Sequence, residues 1–341
     1  MIGESIRIAR MAHGLSLQEL SERLTEAGFP TTKATLSNYE TNKYTPNEDT
    51  LKAIAGQLFT PVDFFKSNSI IEANVSFFRE PFIADRRRQY LEAYISSELE
   101  RFRYWESLLD IPVLWKAEAP KVYSLNDSKE IEALAEEFRE IYGAGTSAIA
   151  SVCALLENRG WHLFALPDFS EASMNITGYD KTTGMPFILY RTFGHQDEMR
   201  LALIRSVGLS LIQGRNQRET DLLTARFARA VLLPQKQCIS LFGNKRTRIA
   251  RSELATGKRL FGLGKGSIMR RMLELGIIEE PLFNEFNAYV FEHFDSTRAN
   301  GILDESTFYE VPTTWEMRAV RAEAEGLVSS ISMKQYFGPQ P

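Results

Sequence analysis

The sequence predicts a mainly α protein with a small β-sheet, an α+β chain. Three observations carry this. Most segments repeat apolar residues at spacings of three and four, the helical period. Several of them open at Ser or Thr and close at Gly, Asn or Pro, the residues that start and stop helices. Only four short runs, 161–166, 172–179, 186–190 and 307–311, read as strands, the second and third joined by a turn at 180–184. The 341 residues allow two or three domains.

The stretch 15–46 reads as two short helices and a turn. Gly14 ends a preceding helix, and Ser16 with Glu19 forms a capping box. Leu17, Leu20, Ser21 and Leu24 share one helical face. Gly28 and Pro30 break the pattern, and Thr32 caps a second helix, 33–41. Its inner side is Leu36, Tyr39 and Glu40. Its outer side is Lys33, Ala34, Ser37 and Asn38, with Thr35 beside it, small or polar residues suited to base edges in a major groove. Asn42 tolerates the left-handed conformation that ends a helix. Leu51, Ile54 and Ala55 supply a closing helix.

Gly14-Leu15-Ser16, Glu19-Leu20, the run Thr35 to Glu40, Lys43 and Pro46 together resemble the Cro/C1-type (XRE) helix-turn-helix, a lambda-repressor-like helical domain. The resemblance covers about the first sixty-five residues. It implies that Lys33, Ala34, Thr35 and Asn38 face bases, and that Thr32 and Lys43 meet phosphates. Where the family carries a phosphate-reaching glutamine this chain has Leu17, followed by Gln18. The turn before the second helix is also about three residues longer than the family's. The alternative is a helical domain that binds protein.

We divide the remainder into a linker, 67–81, a domain, 82–280, and an extension, 281–341. In 82–109, Leu91, Tyr94, Ile95, Glu98, Phe102, Trp105 and Leu109 mark a long helix whose aromatic face is either core or a dimer contact. Helices are expected over 129–142, with Ile141 turned inward, then over 147–158 capped by Thr146, and over 199–213 and 218–233. Residues 252–278 read as a second, winged-helix-like helix pair, its exposed side carrying Lys265, Arg270 and Arg271. That side is a candidate second anion or nucleic-acid contact. Past 281 a helix, a strand at 307–311 and a helix over 315–328 are expected.

The order of elements from 77 to 280, with Arg200-Leu201-Ala202-Leu203, Ala225-Arg226-Phe227-Ala228 and Val231-Leu232-Leu233-Pro234, resembles the ImmA/IrrE zincin-like metallopeptidase domains. The resemblance implies a His-Glu-x-x-His zinc site. In register this chain has Arg205, Ser206 and Leu209, with Leu223 in place of the third ligand. A guanidinium is permanently charged and leucine has no lone pair, so no metal or other cofactor is expected and no enzyme activity of this type. Arg205 either holds an anion in the altered cleft or pairs with Asp221 or Glu219. The four histidines, His13, His162, His195 and His293, have no ligand spacing.

Two distant cysteines, Cys153 and Cys238, argue against a disulfide framework and read as buried. No run reaches membrane-spanning length, so a cytoplasmic protein without a membrane partner is expected. Net charge is −4. Residues 215–271 nevertheless carry fourteen basic and three acidic residues, against seven and eight in 1–66. The arginines of 215–271 form a basic surface or pair internally; composition leaves both open.

The expectation is a DNA-binding repressor of phage, mobile-element or stress type. It reads double-stranded operator DNA as a homodimer, and its second domain either answers a small-molecule, nucleic-acid or protein effector or mediates dimerisation. The alternatives are an antitoxin-like partner-binding autoregulator, or a metallopeptidase with a non-standard site.

Overall fold

The computed structural model describes residues 2–60, 62–66, 75–79, 81, 83–111, 122–125, 128–167, 174–191, 195–293 and 310–328. It is mainly helical with a small mixed sheet. Five helices form the N-terminal head: α1 (Ile2–Ala12), α2 (Leu17–Glu26), α3 (Lys33–Glu40), α4 (Glu48–Gln57) and α5 (Val62–Lys66). Ile6, Leu20, Leu24, Leu36, Ile54 and Leu58 close their common core.

The body is built on a four-stranded sheet in the order β1 (Val75–Phe77), β4 (Ile176–Asp180), β5 (Pro186–Tyr190), β3 (His162–Ala165). β3 and β5 are parallel, and the other neighbours are antiparallel. The segment expected as linker therefore contains β1. Residues 67–74 and 80 of it lie outside the described residues, as do 172 and 173 of the expected strand 172–179.

The long helix α6 (Asp85–Leu108) covers one face of the sheet, where Leu91, Ile95, Leu99 and Phe102 meet Phe164, Phe187 and Leu189. The other face, with Leu163 and Ile188, packs on α7 (Ser128–Ile141), α8 (Val152–Glu157), α9 (Gln196–Leu211) and α10 (Gln217–Leu232). Strands β3 and β5 are thus covered on both sides, and His162, expected half-buried, is buried.

Several boundaries differ from expectation for visible reasons. Residues 146–150 are not helical, and Ser151 caps α8 instead of Thr146. The Arg139 guanidinium draws that segment out of the helical ladder by donating to the carbonyls of Ala144, Gly145 and Ser147. Ile141 ends α7 and is exposed. Ile212–Gln213 leaves α9 to form β6, parallel to β2 (Tyr123–Ser124).

The chain continues through α11 (Gln235–Phe242), then the expected pair α12 (Arg251–Phe261) and α13 (Lys265–Glu274), then α14 (Glu280–His293) and α15 (Thr314–Ala324). Glu310 and Val311 are not strand; 307–309 of that expected strand lie outside the described residues.

The helix α6 also seats its neighbours from outside the sheet. α1 of the head packs along it, with Ile8 and Ala93 buried at the contact. α15 packs on it too, through Trp105, Ala319 and Ala322.

Candidate nucleic-acid interface

The helix α3 is only eight residues long, too short to hold its shape alone. Its ends are fixed from outside. The Thr32 hydroxyl accepts from the Thr35 amide at 3.1 Å. The longer turn before it is pinned by the Ser21 hydroxyl, which donates to the Thr31 carbonyl at 2.6 Å. The Ser16–Glu19 capping box orders the start of α2 as the sequence predicts.

At the far end Asn42 adopts φ 57°, and its side-chain carbonyl accepts from the Gly3 amide at 3.0 Å. A Cβ on Gly3 would lie 2.0 Å from the Tyr39 carbonyl oxygen, so only glycine lets α1 approach α3 this closely. Glu40 is buried beneath the helix in a bidentate pair with Arg10.

Thr32, Lys33 and Ala34 are exposed on α3's first turn, Lys43 is exposed beyond its end, and Thr35 and Asn38 are half-buried between. The Thr35 hydroxyl lies 2.9 Å from that of Thr32, so both hydroxyls already serve the cap. Gln18 is exposed at the start of α2, its amide donating to Glu22. This is a short, rigidly held helix with a polar outer edge bounded by two lysines. Residues 6–65 match a helix-turn-helix family model. The head is an XRE-type helix-turn-helix domain. The chain therefore carries the DNA-binding domain of a transcription regulator. No curated protein and no solved structure matches the chain.

Around this helix-turn-helix domain, Arg10 is a residue that sequence reasoning missed. Its signal was faint: an arginine in the last turn of α1, against an inward-facing Glu40. Exposed Arg23 and Tyr44, the latter 65% accessible, also border the domain's outer surface.

The positions that the ImmA/IrrE resemblance assigns to a zinc site lie on α9 and α10, where Arg205 makes a packing contact. Arg205 donates to Asp221 at 2.8 Å, and Asp221 also takes Arg79 at 2.6 Å. Ser206 donates to the Ala202 carbonyl and accepts from Asn175. Leu209 is half-buried, and Leu223 packs against the main core.

Among the described residues no group of three His, Cys, Asp or Glu is placed to hold a metal. His162 Nδ1 lies 3.1 Å from the Pro186 carbonyl oxygen, and His195 sits at the N-cap of α9. The His293 side chain lies outside the described residues. Both cysteines are buried and free. Burial pushes the Cys153 thiol far up and that of Cys238 up to about 12, which keeps both protonated and poorly nucleophilic at neutral pH.

The basic stretch pairs internally at many points. Arg229 meets Glu274, Arg246 meets Glu253, and Lys258 meets Asp197. Arg271, expected at a second anion contact, is fully buried. It forms a bidentate pair with Glu132 and donates to the Leu233 carbonyl. Arg270 is exposed but lies over the Phe283 ring, 4.5 Å from its centroid, and Lys265 is half-buried.

The body's most buried charge pair was not anticipated. Glu310 bonds to Arg200, and its carboxylate also accepts from the amides of Val152 and Cys153 and the hydroxyl of Ser151. In return Glu157, at the other end of α8, accepts from the amides of Thr313 and Thr314 at the start of α15.

Proposed function

We propose that this chain is a sequence-specific repressor. As a homodimer it reads a two-fold operator by placing α3 in the major groove. The observation that carries this is the polar outer edge of exposed Lys33 and Ala34 and half-buried Asn38, on a helix fixed at both ends. Such rigidity limits the ordering cost of binding. Lys33, Ala34, Thr35 and Asn38 meet base edges in this reading, while Thr32, Lys43 and Gln18 meet phosphates. Its working compartment is the cytoplasm, where its DNA is.

We read the body as a zincin-like domain that has exchanged its metal site for the Arg205–Asp221–Arg79 contact and carries no catalysis. Its role is to seat the head and pass an effector's signal to it. An effector acts only by binding the DNA-competent and incompetent arrangements with different affinity. The α1–α6 packing is the route by which the body biases the head.

Selection of duplexes from a random library by the purified full chain tests the reading. An enriched two-fold motif is the expected result. Retention proportional to duplex length, with no motif, contradicts it.

A further inference from the structure

The helix α15 has two apolar faces, and among the described residues the body packs on one of them. Its inner face, Trp315, Ala319 and Ala322, packs on α6. On the opposite face Met317 is 64% and Val320 49% exposed, with exposed Ala324 next in line. The 3–4 spacing of these residues is the period by which one helix packs along another. Leu327, 44% exposed, follows where Gly326 (φ 71°) turns the chain.

We propose that this face of α15 is the surface through which two copies of the chain associate. Three features favour a second copy over another occupant. First, the flanks are complementary to themselves: Arg321 stands on one side of the stripe, Glu316 and Glu323 on the other. In a parallel two-fold pair the flanks meet crosswise, and each Arg321 faces the partner's acidic side. Its present bond to Glu325 is an exposed pair, which costs little to exchange.

Second, α15 is a firm platform, held by the Glu310–Arg200 and Glu157 contacts. Third, it is close to the head. Trp315 lines a cavity of about 310 Å³ together with Ala12, His13 and Arg101. Copies joined at α15 thus carry their heads on a shared frame, as reading of a two-fold site requires. That last argument rests on the DNA-reading function, whereas association itself does not.

The stripe spans about two turns, roughly 10 Å. Such a face falls short of the ~800 Å² per partner of a standard stable interface, so association is weak, with a Kd on the order of micromolar. Sedimentation of the full chain without DNA, from about 1 to 200 μM, tests this. The expected result is a concentration-dependent dimer that the double substitution Met317→Glu/Val320→Glu weakens at least about tenfold. Leu222→Glu, at an exposed leucine on α10, leaves it unchanged. A monomer at every concentration, or a dimer indifferent to the double substitution, overturns the proposal.

A photo-crosslinker attached at Ala324→Cys adds a readout that does not depend on folding of the double variant. A dimer-sized product supports the proposal. A crosslink within one chain, to residues 329–341, overturns it.

Discussion

Arg10 and Glu40 join α1 to the underside of α3 by two hydrogen bonds, Nε to Oε1 at 2.6 Å and Nη2 to Oε2 at 2.8 Å. The third arm of Arg10 donates to the Leu15 carbonyl at 2.6 Å. Both side chains are almost wholly buried. Taking one partner away leaves a buried charge alone, at a cost of about 3–5 kcal/mol. We expect Glu40→Ala to lower stability by that order, and urea unfolding of the full chain measures it. Glu40→Gln keeps the shape and one acceptor, and is expected to lose less.

Gly3 makes a sharper probe of the same seam. Its substitution by alanine drives a Cβ into the Tyr39 carbonyl and disturbs the Gly3–Asn42 bond. We expect Gly3→Ala to shift the end of α3 and to weaken specific duplex binding about tenfold or more. Gly56→Ala, where an added Cβ meets nothing, leaves binding unchanged. Fluorescence anisotropy with the selected duplex distinguishes the two.

In the proposed reading, the outer edge of α3 separates base reading from phosphate contact. Asn38→Ala is expected to cost about 1–3 kcal/mol of specific binding and to relax preference at one base position. Lys43→Ala weakens binding to all sequences alike and lowers the salt slope by about one. Titrations at several salt concentrations, on specific and scrambled duplexes, check both.

The Glu310–Arg200 pair ties α15 to the body across 110 residues of sequence. Glu310→Gln leaves the guanidinium without its counter-charge, and we expect a loss of about 3 kcal/mol or more. Because Trp315 and Trp105 pack edge to face beneath α15, 6.2 Å apart, tryptophan emission shifts to the red if the helix lifts away.

His13, between head and body, makes stability sensitive to acid. Burial, then the nearby Arg101, lowers its pKa from about 6.5 to about 4. Between those values the unfolded chain binds a proton that the folded chain does not. Stability from this residue is therefore whole above about pH 6.5 and is lost as pH falls toward 4, at up to about 1.4 kcal/mol per unit. Unfolding of His13→Gln between pH 7 and 4 is expected to show a shallower acid loss than the parent.

What could be read from the sequence was local. The Ser16 box, the Thr32 cap and left-handed Asn42 each depend on groups a few residues apart, and all three stand as read. The α12–α13 pair was legible for the same reason. Distant partners were not. Arg271 has the spacing of an exposed residue, but its partner Glu132 is 139 positions away. Residues 146–150 carry helical spacing that Arg139 overrides from the preceding helix. His162 belongs to a strand whose second face is covered by α6, which no alternation of apolar residues announces.

The central claim is that α3 reads operator DNA in the cell. Genome-wide footprinting of the tagged full chain, beside the Lys33→Ala/Asn38→Ala double variant, tests it most directly. The account predicts sharp peaks centred on a two-fold sequence, lost in the variant while the protein remains folded and abundant. Peaks that persist in the variant, or none in the parent, contradict it.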